Sequence, residues 1–254
     1  MTEEMNIADY LAQGGKLTNP ANVPPRYRAE LMKIMSAFVD SELAGAAGFA
    51  DVINDGPGIK ERIAAAKIVL EKTDNADRVL RLMGEFGAAT GRYVSHHPWT
   101  DRLPRETEPG RTRSAHDMRL SVFNYPLAGW TDAVTMNLVM GLAVDVQLRD
   151  LAQASYQPLA EAIRGLAPRE ARHTELAEEG LARLAAQGQR AAIAESVAYW
   201  RPRVAAMFAD PAPERMAQLR GWGLRHADAA QMRAAWEGAL DEALARVDSA
   251  AVAA

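Results

Sequence analysis

Residues 158–186 read PLAEAIRGLAPREARHTELAEEGLARLAA. Leu159, Ile163, Leu166, Glu170, His173, Ala177 and Leu181 recur at three- and four-residue spacing, which puts them on one face of a helix. That face is apolar except for Glu170 and His173 at its centre. A carboxylate set in an apolar stripe is costly unless something binds it. Pro168 lies in the same stretch and predicts a bend. Residues 26–53 repeat the pattern with Leu31, Met35, Phe38, Glu42, Ala46 and Phe49, so a second helix also carries a central carboxylate.

Between them, residues 58–86 form a helix with two readable faces. Lys67, Glu71, Asp74, Arg78, Arg81 and Glu85 alternate in sign at helical spacing, the mark of a solvated, salt-bridged face. Ala65, Ile68, Lys72, Asn75, Val79, Met83 and Phe86 make the opposite, core-directed face, interrupted by Lys72 and Asn75. Glu71 and Asp74 look like a ligand pair but lie about 100° off the buried face. A further helix over 130–155 carries Gly141 at the centre of its buried face, with Asn137 and Asp145 one turn to either side. Asp145 either reaches inward or pairs with Arg149.

Alanine, leucine, arginine and glutamate dominate, β-branched alternation is nearly absent, and no fixed repeat argues for a solenoid. Four long helices with shorter ones around them (5–12, 190–208 and 228–247) predict an all-α, ferritin-like four-helix bundle with additional short helices. The 254 residues, 48% hydrophobic, suffice for one large core, so a single domain over 1–254 is expected. Residues 1–24 form an N-terminal arm and the proline-rich, charged stretch 98–114 a long surface loop. Net charge is −4 with arginines interleaved among acids, which gives no nucleic-acid footprint. No apolar run has the length of a membrane span. The chain lacks cysteine and an N-terminal signal pattern, and a cytoplasmic location is the expectation.

Several short motifs recur in order: Ser41-Glu42 with Pro57 fifteen residues on, Phe123-Asn-Tyr-Pro126, Trp130-x-Asp132, Ser155-Tyr156-x-Pro158, Glu170-x-x-His173 and Trp200-x-Pro202. Together, over about 24–247, they resemble the catalytic subunit of phenylacetyl-CoA epoxidase, in the phenylacetic-acid catabolic family of ferritin-like proteins. The resemblance implies a di-iron monooxygenase acting on an aromatic CoA thioester. Its ligands would be a Glu on the first long helix, Glu-x-x-His on the second, a carboxylate on the third and Glu-x-x-His on the fourth. Glu42, Glu170 and His173 match by position. Lys72, Asn75 and Gly141 stand where the second helix's Glu, its His and the third helix's carboxylate are implied.

Three readings follow. In one the site is altered, and Glu42, Glu170 and His173 hold one iron, or the site recruits Asp145 or Asp74. In another the bundle is metal-free, the Lys72 ammonium neutralising the carboxylates, and the protein is a scaffold or ligand-binding partner like the family's non-catalytic subunit. In the third a metal-independent enzyme uses Lys72, Glu170 and His173, with Lys72 or His173 as acid or base. The resemblance also implies an aromatic or acyl-CoA ligand and a homo- or hetero-oligomer with a related subunit. Among other residues, His96-His97 read as an exposed pair, and His116-Asp117 and His226 as helix-start residues. The five tryptophans read as core or interface anchors. Arg102, Arg105, Arg111 and Arg113 read as either solvated loop cations or contacts for a CoA phosphate.

Overall fold

The computed structural model describes residues 6–96, 98–114 and 117–253, and the side chains of all of these except 92, 94, 96 and 251–253. The helices are α1 (Ile7–Ala12), α2 (Pro25–Val52), α3 (Ile59–Glu85), α4 (Thr90–His96), α5 (Gly129–Leu151), α6 (Gln157–Ala186), α7 (Arg190–Ala205), α8 (Pro213–Gly221) and α9 (Ala229–Ala253). The fold is an all-α ferritin-like bundle, with no strand among the described residues beyond one isolated bridge between Leu17 and Tyr156. Both His97 and His116 lie outside the described residues, as does the side chain of His96.

Prolines start the helices where expected. Pro25, Pro158 and Pro213 occupy the first turns of α2, α6 and α8, where a missing N–H has no helical partner to lose. Pro168 lies inside α6 without ending it. The third long helix stops at Leu151 rather than 155 because tertiary contacts claim Ser155: its N–H donates to Gly223 O at 2.9 Å and its hydroxyl bonds Tyr27 and Trp222. Gly223 has φ +62, and an added Cβ would sit 3.0 Å from the Ser155 Cβ. Only a glycine allows that approach. The short α4 and α8 escaped the periodicity reading, since one or two turns carry too few residues to show a stripe.

α2, α3, α5 and α6 form the bundle. Arg28 to the Phe86 carbonyl at one end and Glu42 to Lys72 in the middle set α2 antiparallel to α3. Glu61 to Arg183 and Glu71 to His173 do the same for α3 and α6. α7 packs on α5, and α9 on both α6 and α5. Trp200 and Trp236 are fully buried there, and Trp236 Nε1 donates to the Val139 carbonyl at 2.9 Å. The N-terminal arm docks through Ile7 and the fully buried Leu17.

The loop over 98–114 is long and largely exposed, but arginines bolt it down. Arg119, buried and paired with Asp117, donates to the carbonyls of Pro98, Trp99 and Asp101. Arg102 donates to the Ala44 carbonyl at 2.9 Å. Arg105 grips Asp132 with two bonds of 3.0 and 2.9 Å, and Asp132 also accepts from Ser196, Trp200 Nε1 and the Ala128 N–H. The reading of Arg102 and Arg105 as solvated or phosphate-binding is therefore corrected: both are spent on the fold. The more exposed Arg111 and Arg113 pair with Glu108 and Asp101.

Candidate functional site: a buried charge cluster

At the bundle centre Glu42 from α2, Lys72 and Asn75 from α3, and Glu170 and His173 from α6 come together, all buried. Their positions follow from the stripes: each replaces an apolar residue on a core-facing row. Lys72 Nζ donates to Glu170 Oε2 at 2.8 Å and to Glu42 Oε1 at 3.2 Å. Asn75 Nδ2 donates to the remaining oxygens, Glu170 Oε1 at 2.8 Å and Glu42 Oε2 at 3.3 Å. All four carboxylate oxygens thus have donors. A cavity of about 30 Å³ borders Lys72, Glu170, Asn137 and Gly141.

Electrostatics divide the two carboxyls. Burial pushes Glu170 up, but the nearby Lys72 ammonium and then His173 carry it well below the usual carboxylate range. Burial and then the charge of Glu170 push Glu42 up to about 8, against the pull of Lys72 and Asn75. The shorter bonds to Glu170 fit its being the more fully ionised partner. Burial alone pulls Lys72 down, yet Glu170 and Glu42 more than offset it and hold the amine above its ordinary value. An ammonium held that firmly is a poor base.

The sequence reading of α3 needs one correction. Glu71, assigned to the solvated face, reaches round to accept from His173 Nε2 at 2.7 Å. Its flexible stem spans the angular offset that Cβ direction alone suggested it could not. His173 Nδ1 lies 3.4 Å from Glu170 Oε1 without hydrogen-bond geometry. Asp74, by contrast, faces outward to Arg78 and Arg169. Of the two α5 candidates, Asn137 turns inward and donates to the His173 carbonyl at 3.1 Å. Asp145, half-buried, pairs with Arg149 on its own helix instead of joining the cluster.

These residues do not fit a metal pair as they stand. The ammonium sits between Glu42 and Glu170, where a bridging cation would have to be, and Asn75 claims the oxygens that remain. Gly141 offers no ligand, and its space is taken: an added Cβ would lie 2.3 Å from Thr174 Oγ1. A larger side chain there meets α6 before it reaches the cluster. Among the described residues no group of three or more His, Asp or Glu side chains has metal-holding geometry.

A cleft of about 430 Å³ opens beside the cluster between α2, α5 and the segments around Leu120 and Leu224. Glu42 and Ser41 stand in its wall with Phe38, Phe123, Met140 and Val144, and Lys33, Arg215 and Arg225 also line it. No helix among the described residues is long and apolar enough to cross a membrane.

No curated protein matches the chain. The profile of the family described as "Phenylacetic acid catabolic protein" matches residues 5–251. That match takes in the arm and all four bundle helices, a wider span than the motifs alone suggested. With that match over nearly its whole length, the chain belongs to the phenylacetic acid catabolic protein family.

Proposed function

We propose that this chain is a metal-free member of its family, serving as a non-catalytic partner subunit for the oxygenation of aromatic or CoA-ester substrates. The observation that carries this reading is Lys72 Nζ bonded to both Glu42 and Glu170. A fixed ammonium supplies the positive charge that the ionised Glu170 beside Glu42 requires, with no need for an exchangeable ion. It also ties α2, α3 and α6 together at one point. Since the amine stays charged, Lys72 serves this structural role better than that of a base.

Metal analysis of protein purified from iron-supplemented cells tests the proposal. We expect far less than one iron per chain; about two per chain, as in di-iron bundles, would overturn it. A second reading rests on the 430 Å³ cleft, whose wall is mostly apolar and whose lining includes Arg225 together with Lys33 and Arg215, which share Glu30. It suits an apolar aromatic or acyl ligand with an anionic head, bound but not oxidised. Titration with phenylacetyl-CoA followed by calorimetry separates this role from that of a pure scaffold.

A further inference from the structure

α3 and α6 meet less closely than α2 with α3 or α5 with α6, and a cleft of about 340 Å³ lies between them. It shares no lining residue with the 430 Å³ cleft beside α2 and α5. Small side chains make the room: Ala64 and Ala65 on α3, Ala177 and Gly180 on α6. Trp130, Val134 and Asn137 follow one another at helical spacing on α5 and line the cleft from its half-buried rim to its buried floor. Phe49 and Ile68, both buried, complete an apolar and partly aromatic wall.

The floor holds a polar atom with nothing bonded to it. Asn137 is only 6% exposed, and its Nδ2 is spent on the His173 carbonyl. That bond fixes the orientation of the amide, since only its nitrogen can donate. Oδ1 accepts from no donor among the described residues, yet it is not one of the fully enclosed, unbonded atoms. Asn137 lines this cleft and the 30 Å³ cavity behind it, so the free acceptor has internal space in front of it. The mouth, by contrast, is balanced. Lys60 and Arg183 stand there with Glu61 and Glu179, two charges of each sign.

We infer that the α3/α6 cleft is a binding site for an uncharged aromatic molecule bearing a hydroxyl, which donates to Asn137 Oδ1 while the ring lies among Phe49, Ile68 and Trp130. The volume is that of a small-molecule pocket. A pure hydrocarbon leaves the buried acceptor unbonded, which is costly. A carboxylate sets acceptor against acceptor and buries a charge without a partner. Water satisfies Oδ1 but gains nothing from the apolar wall. A hydroxyl on an aromatic skeleton meets both demands at once.

Calorimetric titration of the full chain with cinnamyl alcohol is the test, with a dissociation constant below about 1 mM expected. Cinnamyl methyl ether keeps the ring but has no donor, and should bind at least about threefold more weakly. Cinnamate carries a carboxylate at the same end and should bind at least about tenfold more weakly. The indole N–H resonance of Trp130, assigned through Trp130→Phe, should shift during the titration, while that of the fully buried Trp236 holds still. Ala64→Phe fills the cleft from its partly exposed wall and should weaken binding at least about tenfold. Circular dichroism checks the fold of that variant, and the ligand series and the Trp130 resonance stand without it. No binding up to about 5 mM overturns the proposal. So does an ether or a cinnamate that binds as tightly as the alcohol, or a Trp130 resonance that stays put while heat is released. None of these outcomes depends on iron content or on the 430 Å³ cleft, so the inference can fail while the reading of the charge cluster stands.

Discussion

Replacing Lys72 with methionine keeps the length and apolar stem of the side chain and removes its ammonium. Glu42 and Glu170 then face each other across a gap whose former occupant lay 3.2 and 2.8 Å from them. Removing one partner from a buried ion pair costs about 3–5 kcal/mol. Two carboxylates so close do not both stay charged, so one takes a proton. The sign of the pH dependence follows. In the variant the carboxyls lose the ammonium that held Glu170 low, and their folded values rise above the unfolded one of 4.5. An acid raised in the folded state lends stability that is present below its unfolded value and lost as pH rises through its folded value. The variant should therefore be least damaged near pH 5 and most damaged near pH 9, each unit between costing up to about 1.4 kcal/mol per proton. Urea unfolding of both proteins by circular dichroism, at about pH 5, 7 and 9, measures this directly. A loss below about 1 kcal/mol that ignores pH, the behaviour of a surface pair, would refute the cluster as described.

In the wild-type protein Glu42 is raised to about 8 from 4.5, so its contribution to stability should fall as pH climbs through that window, and Glu42→Gln should flatten the slope in the same unfolding series. Asp132→Ala leaves Arg105, Ser196 and Trp200 Nε1 without their common acceptor. It should lower the unfolding free energy by about 3–5 kcal/mol. Gly141→Ala drives a methyl to within 2.3 Å of Thr174 Oγ1. It should cost about 1–3 kcal/mol, with Thr174→Ala recovering part of the loss in the double variant. Arg119→Met removes one donor from each of the carbonyls of Pro98, Trp99 and Asp101, and limited trypsin digestion should then cut the 98–114 loop faster than in wild type.

The bundle was legible because long helices write their buried faces at regular intervals. Lys72 and Asn75 stood out by interrupting a row of Ile68, Val79 and Met83, and the structure buries both. Glu71 was not legible, since helical periodicity reports the direction of a Cβ and not the reach of a four-atom side chain to His173. The fates of Arg105 and Arg119 were equally hidden. Their partners, Asp132 and the carbonyls of 98–101, are set by tertiary contacts over 18 to 27 residues, with no local spacing rule. The end of α5 was misread for a related reason: the Gly223 turn that receives Ser155 is a long-range event.

The crowding of Gly141 by Thr174 has a consequence for redesign. Any side chain added at that position on α5 meets a hydroxyl on α6 first, its Cβ 2.3 Å from Thr174 Oγ1. Thr174 must turn aside or be trimmed before α5 can present a new group to the cluster, so the two positions behave as one unit under mutation.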